Sequence, residues 1–211
     1  MSERFEAGFL HRPAQAGVEA IVLTHGASSN ANAPMLVALA EAFANAGVLA
    51  YRYDLPYRQR RPNGPPHPSA SAADREGVRL AVQAVRALGC QRVVAAGHSY
   101  GGRQTSMAAS EDPQLVEGLL LTSYPLHPPG KPDQIRTAHF PNIHTAALFI
   151  SGARDPFGSR EELEKAIALI PAKTQLWTVE GAGHELAKKP ATITAEIVYR
   201  TSRFLLHPDR D

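Results

Sequence analysis

The sequence predicts a three-layer α/β fold, in which a mostly parallel sheet of about six or seven strands is covered by helices on both faces. Three observations carry this expectation. Short apolar runs alternate with amphipathic stretches of helical period almost from end to end. The runs read as strands buried on both faces, as a parallel sheet requires. The pentapeptide Gly97-His98-Ser99-Tyr100-Gly101 stands between one such run and a segment able to start a helix.

In chain order, residues 4–10 offer an edge strand, and the apolar run 18–24 is the first buried strand. Residues 34–45 read as a helix closed by Gly47, and 48–53 as a second buried strand. Residues 72–88 place Val78, Ala81, Val82, Val85 and Leu88 at helical spacing and end at Gly89. Strand 92–96, the helix 102–110 and strands 117–122 and 146–151 follow. Helix 160–170, strand 175–179 and a last helix from about 191 to 206 complete the series. Each crossover between parallel strands should be right-handed. Two segments break the rhythm: 55–71, rich in proline and arginine, and 124–145, with five prolines. Both follow strand C-termini, the edge at which open α/β sheets bind ligands. Neither is long enough for a further domain, there is no internal repeat, and residues 1–211 read as one domain.

Composition narrows the partners. A net charge of +2 gives no reason to expect nucleic acid or a membrane surface. The single cysteine, Cys90, excludes an internal disulfide and fits a reducing compartment. The first six residues lack the apolar core of a signal peptide, and no apolar run approaches membrane-spanning length. The expectation is a cytoplasmic monomer or small homo-oligomer acting on a small molecule, with no metal and no organic cofactor.

Gly-x-Ser-x-Gly between a strand and a helix marks a nucleophile elbow, a turn so tight that positions two before and two after the serine must be small. Gly97 and Gly101 meet that need. Ser99 should stand clear of the sheet at a helix N-terminus, where the dipole favours developing negative charge. A nucleophilic serine needs a base, and the base needs an orienting carboxylate. Asp155 follows strand 146–151, and His184 follows strand 175–179 in a glycine-flanked loop, so one sheet edge receives all three groups. Position selects them. Of nine histidines only His184 follows the last strand in a glycine-flanked loop, and His98 is too constrained inside the elbow to turn back on Ser99. Asp133 and Asp54 are the rivals to Asp155, but Asp54 follows a different strand and better suits anchoring the adjacent turn.

An oxyanion needs two donors. The backbone N–H of Tyr100 is the first, and the second comes from the loop Thr24-His25-Gly26-Ala27-Ser28-Ser29, at Ala27 with Ser28 as runner-up. Substrate contacts are assigned to Ser28, Arg58, Arg103 and Tyr124. Arg103, with Arg58 or Arg154, suits an anionic group; the alternative is pairing with a neighbouring carboxylate. For Tyr124 and Tyr57 the alternative is packing.

These residues together resemble small bacterial α/β-hydrolases of the dienelactone-hydrolase-like type. Within them the chain is similar to a group related to the hydrolase-like domains of an animal testis-expressed protein and of a histone-acetyltransferase complex subunit. The matching stretches are 24–27, 54–58, 97–103, 123–132 and 151–158, with Tyr124-Pro125-Leu126-His127-Pro128-Pro129-Gly130 the most specific. The resemblance implies the α/β-hydrolase fold and a Ser99–Asp155–His184 triad, but no substrate. A dienelactone hydrolase uses cysteine where this chain has Ser99, and members related to the animal proteins often carry arginine at the position of His98. The connection after residue 122 holds only about twenty residues, too few for a helical lid, so the site should be open. The leading expectation is a serine hydrolase of small esters working through an acyl-enzyme. A hydrolase-shaped scaffold with little activity, and thioesterase or acyl-transfer chemistry at the same residues, stay open as alternatives.

Overall fold

A computed structural model describes residues 2–15, 17–188 and 190–207. Its strands are β1 (Ser2–Phe5), β2 (Gly8–His11), β3 (Glu19–Thr24), β4 (Leu49–Tyr53), β5 (Arg92–His98), β6 (Gly118–Thr122), β7 (Ala147–Gly152) and β8 (Thr174–Val179). They form one eight-stranded sheet in the order β1-β2-β4-β3-β5-β6-β7-β8. From β4 through β8 every pairing is parallel; β1 and β2 pair antiparallel with each other, and β2 with β4. The strand count exceeds the expected six or seven because residues 4–10 belong to a hairpin rather than to one strand. The chain turns at Glu6 (φ 44°), and Phe5 pairs with Gly8.

The helices are α1 (Pro34–Asn45), α2 (Pro56–Arg60), α3 (Ser71–Ala87), α4 (Tyr100–Glu111), α5 (Arg160–Ile167) and α6 (Thr194–Thr201). Alternating strand residues sort them into two layers. Ile21, Leu23, Val94, Ala96, Leu120, Leu148 and Ile150 pack against Leu36, Leu39 and Phe43 of α1 and Ile197 of α6. Ala20, Val22, Val93, Ala95, Leu119, Leu121 and Phe149 pack against Val78, Val82 and Val85 of α3, Ala108 of α4 and Leu163 of α5. Both faces of the central strands are therefore dry, which is why their sequences are apolar throughout. The last helix is shorter than its periodicity suggests. A 3-10 turn, Pro190–Thr192, precedes α6, and a π-turn, Ser202–Leu206, follows it and still buries Leu205 and Leu206. The five-residue α2 lies inside the segment read as irregular, with Pro56 in its first turn.

The helix leaving β3 covers one face and the helix leaving β5 the other, so the chain parts above these adjacent strands and leaves a crevice at their C-terminal ends. The connection from β6 to β7 is not a lid. It is coil with one 3-10 turn, Phe140–Asn142, and it buries Tyr124, Leu126, Phe140 and Ile143 against the sheet. At the far edge, β8 pairs with β7 alone and is only half-buried along most of its length, whereas every residue of β7 is buried. No helix among the described residues is long and apolar enough to cross a membrane.

A close backbone approach bearing on the crevice lies at the end of β5. A Cβ on Gly97 would collide with the backbone of Gly101 and Gly102, and one on Gly101 would meet the His25 carbonyl oxygen at 2.5 Å. Neither obstacle is a side chain that can swing away. Gly97→Ala should therefore lower the unfolding free energy by roughly 2–4 kcal/mol in urea titrations. Gly47, at φ 91°, has open space where a Cβ would stand, with no atom within 4 Å. Gly47→Ala should accordingly lose only about 1–2 kcal/mol, from backbone strain. Equal losses at both positions would contradict this account of the turn.

Candidate active site

Ser99 sits between β5 and α4 with φ 51° and ψ −117°, a conformation that a non-glycine residue holds only under constraint from its surroundings. The constraint is visible: its N–H donates to the Thr122 carbonyl (2.9 Å), and its carbonyl accepts from the Arg103 N–H (3.0 Å). The side chain consequently projects from the sheet edge at the N-terminus of a twelve-residue helix.

The loops after β7 and β8 converge on it. His184 Nε2 lies 2.8 Å from Ser99 Oγ, and His184 Nδ1 lies 3.0 and 2.9 Å from the two carboxylate oxygens of Asp155. The Asp155 side chain is 1% exposed, and its Oδ1 also accepts from the Phe157 N–H (3.0 Å). An ionised carboxylate only accepts, so Nδ1 carries the proton and Nε2 presents its lone pair to the serine. The Phe157 ring lies on the imidazole, 4.3 Å between centroids, and Ser123 Oγ donates to the His184 carbonyl at 2.6 Å. The two loops are locked together as well. A Cβ on Gly152 would collide with Ala182 and Gly183, and Arg154 donates through its guanidinium to the Gly181 carbonyl (2.7 Å).

His98 faces the same space, its ring centroid 5.3 Å from that of His184. Burial, and then the neighbouring His184, push its pKa down to about 4. A neutral His98 imposes no charge on an imidazolium forming at His184. On the opposite wall the loop after β3 is held from behind. His25 is fully buried, and its Nδ1 donates to the Gly26 carbonyl (2.9 Å) while its Nε2 accepts from the Leu55 N–H (3.2 Å). Those two partners define a neutral tautomer, and burial lowers its pKa accordingly. Asp54 accepts from the Ala31 N–H (2.6 Å), anchoring the turn that follows.

A cavity of about 690 Å³ opens beside Ser99 and His184. The loop supplies Gly26, Ala27, Ser28 and Ser29, the start of α1 adds Pro34, Met35 and Leu36, and Phe157, Ala187 and Lys188 close it. Of the four residues assigned to substrate, Ser28 lines this cavity. Tyr100 has its amide at the first position of α4, where no intrahelical carbonyl is available. The other three assigned contacts lie elsewhere. Arg58 is buried behind the loop, its guanidinium occupied by the carbonyls of Ala27, Ser29, Arg61 and Gly64. Tyr124 is 1% exposed and packs on Phe140 and Phe149, its hydroxyl donating to the Arg136 carbonyl (2.8 Å). Arg103 does not line the cavity and, among the described residues, pairs with no carboxylate; its Nε is buried without an acceptor. The corrections at Arg103 and Tyr124 share one cause, since α4 and the β6–β7 connection form the opposite flank of the elbow from the cavity, whereas Arg58, in α2, is held behind the loop after β3. Phe157 and the first turn of α1 were missed, although their places directly after Asp155 and after the Ala27 loop were the available signal.

A serine at a strained strand–helix turn, meeting a histidine and a carboxylate from later loops of a mostly parallel sheet, defines the α/β-hydrolase class. A model of the alpha/beta hydrolase domain family matches residues 17–197, and the chain belongs to that family. Similar solved structures include a dienelactone hydrolase from Anabaena variabilis ATCC 29413, with TM-score 0.74, 20% identity and coverage of 95% of this chain and 90% of that one. Est1E from Butyrivibrio proteoclasticus aligns with TM-score 0.70 and 16% identity over 98% of both chains. A Paleococcus ferrophilus monoacylglycerol lipase aligns with TM-score 0.72 and 16% identity over 90% of this chain and 96% of that one. At such identities the likeness is one of fold.

His139, whose Nε2 is 2.8 Å from Ser106 Oγ, is like His98 pushed down to about 4, by burial and then by Arg103. The folded protein keeps both rings neutral where the unfolded chain protonates them near pH 6.5. Their contribution to stability is therefore intact above pH 6.5 and falls as pH drops toward 4, by up to about 1.4 kcal/mol per pH unit for each ring. Imidazole NMR signals of His98 and His139 should stay in the neutral position from pH 8 to 5. A midpoint near 6.5 for either ring would refute its assignment.

Proposed function

We propose that the protein is a serine hydrolase that cleaves small esters through an acyl-enzyme. The observation that carries the proposal is the continuous hydrogen-bond chain from Asp155 through His184 to Ser99, ending at the mouth of a cavity. Ser99 Oγ attacks the ester carbonyl while His184 Nε2 takes its proton, and Asp155 stabilises the imidazolium. The amides of Ala27 and Tyr100 receive the oxyanion, aided by the N-terminus of α4. His184 then protonates the departing alkoxide. A water molecule, deprotonated by the same nitrogen, releases the acid and restores Ser99.

The cavity favours a modest, mainly apolar acyl group. Pro34, Met35, Leu36 and Phe157 give it apolar walls, whereas Ser28 and Ser29 offer polar contacts at one side. The structural neighbours support ester chemistry by their names, dienelactone hydrolase and monoacylglycerol lipase. Within the family we place the chain beside the group related to the animal testis-expressed and acetyltransferase-subunit domains, on the strength of the string 124–130.

Ser99→Ala should abolish hydrolysis of a short p-nitrophenyl ester, a loss of at least about 10³-fold, with unchanged circular dichroism. Asp155→Asn, which removes the negative charge and allows an amide N–H to face Nδ1 and favour the wrong tautomer, should lower kcat by roughly 10³–10⁴. A fluorophosphonate should label Ser99 in the wild-type protein and not after Ser99→Ala. Turnover that survives Ser99→Ala, or a serine untouched by the probe, would exclude the mechanism.

A further inference from the structure

We propose that Asp74 is a positioning residue whose carboxylate holds both halves of the oxyanion site, the Ala27 loop and the Tyr100 turn, in one frame. The inference rests on the serine-hydrolase reading above. Asp74 lies in the first turn of α3, a seventeen-residue helix, and is 0% exposed. Among the described residues it has no ion-pair partner. Its charge is met by the α3 N-terminus and by two hydrogen bonds, one to each oxygen. Oδ1 accepts from the Tyr57 backbone N–H at 2.9 Å, and Oδ2 accepts from the Tyr100 hydroxyl at 2.7 Å.

Each partner continues into the site. Tyr100 follows the nucleophile, and its own amide is one of the two oxyanion donors. Tyr57 reaches back over the other: its hydroxyl is 3.1 Å from the Gly26 carbonyl oxygen and 2.8 Å from that of Ala27. A peptide carbonyl and the N–H of the same unit point in opposite directions. Drawing the Gly26 carbonyl toward Tyr57 and His25 therefore turns the Ala27 N–H away from them. Arg58 adds a bond to the Ala27 carbonyl at 3.0 Å. The rings of Tyr57 and Tyr100 meet edge to face, 5.7 Å between centroids, so the frame is closed by packing as well. The Pro56 ring fills the place where a Cβ on Gly77 would stand, seating α2 on α3 so that the Tyr57 N–H meets Asp74.

Both phenols remain donors at any ordinary working pH. Burial raises the Tyr57 pKa to about 12, and burial together with the Asp74 bond raises that of Tyr100 further. Neither group touches substrate. Their contribution is to fix two amides against the pull of the ground-state loop, which shows only when the oxyanion forms.

The test compares wild type with Tyr57→Phe, Tyr100→Phe and Asp74→Asn on a p-nitrophenyl ester, alongside inhibition by an alkylboronic acid that forms a tetrahedral adduct at the serine. Tyr57→Phe and Asp74→Asn should lower kcat about 10–100-fold with KM within about twofold, less than the 10²–10³ typical of losing a donor outright. Boronate affinity should fall in proportion, and the pH profile should keep its shape, because His184 is untouched. A purely structural role would lower the melting temperature and leave kcat per folded molecule unchanged. Values of kcat and boronate affinity within twofold of wild type in the folded variants would overturn the proposal. If Asp74→Asn does not fold, the two phenylalanine variants decide. If the wild type cleaves no ester, the serine-hydrolase reading falls by itself. Positioning is then read from hydrogen exchange: the Ala27 and Tyr100 amides should exchange at least tenfold faster in Tyr57→Phe while β3 and β5 do not change, and unaltered exchange would overturn it.

Discussion

The architecture of this protein depends on one backbone constraint, the turn at Ser99. Its φ and ψ are held by the Thr122 carbonyl on one side and the Arg103 amide on the other. The turn is possible only because Gly97, Gly101 and Gly102 let β5 and α4 approach at backbone distance. Around that point the neighbouring strands have to end in register. The pairings of Thr24 with Gly97 and of His98 with Thr122 align the ends of β3, β5 and β6, and that of Gly152 with Val179 aligns the ends of β7 and β8. A one-residue slip would exchange the two apolar faces of a strand, so core packing also fixes where the functional loops begin.

Charge is distributed under a similar constraint. Two carboxylates, Asp155 and Asp74, are buried near Ser99, and each meets neutral or weakly polar donors rather than an arginine. An arginine beside Asp155 would compete with the imidazolium for it. Arg58, the nearest buried guanidinium on this side, is occupied by carbonyl oxygens of the loops around it. Fully buried His25 is held as a neutral tautomer by its two hydrogen bonds, and His98 has its pKa pushed down to about 4. His184, bonded to Ser99 on one side and to Asp155 on the other, links the two.

Much of this was legible in the sequence, for identifiable reasons. Strands buried on both faces leave unbroken apolar runs, and the elbow, Asp155 and His184 each follow one. The Gly-x-Ser-x-Gly spacing reports a backbone collision, which no other residue pattern avoids as readily. What escaped was set by long-range contact. Residues 4–10 give no turn signal, since Glu6 rather than glycine takes the positive φ, and so the hairpin read as one strand. Arg58, Arg103 and Tyr124 follow strands that end at the right edge, yet α4 and the β6–β7 connection place Arg103 and Tyr124 on the other flank, and the loop after β3 takes up Arg58 from behind. Asp74 lies in an ordinary amphipathic helix; only the fold brings Tyr57 and Tyr100 to its two oxygens.

The edge position of β8 has a consequence for how the contact between His184 and Ser99 is lost. β8 delivers His184 but is braced by one neighbouring strand, with Trp177 partly covered by the Arg200 guanidinium 4.6 Å above its ring. Ser99 belongs to the sheet centre. The two ends of the Ser99–His184 hydrogen bond therefore differ in local stability, because edge elements open at lower free energy than central ones. Fraying of this single strand would carry His184 away while Ser99 stays in place at the sheet centre. Heat or denaturant would then part the two side chains before the central strands separate.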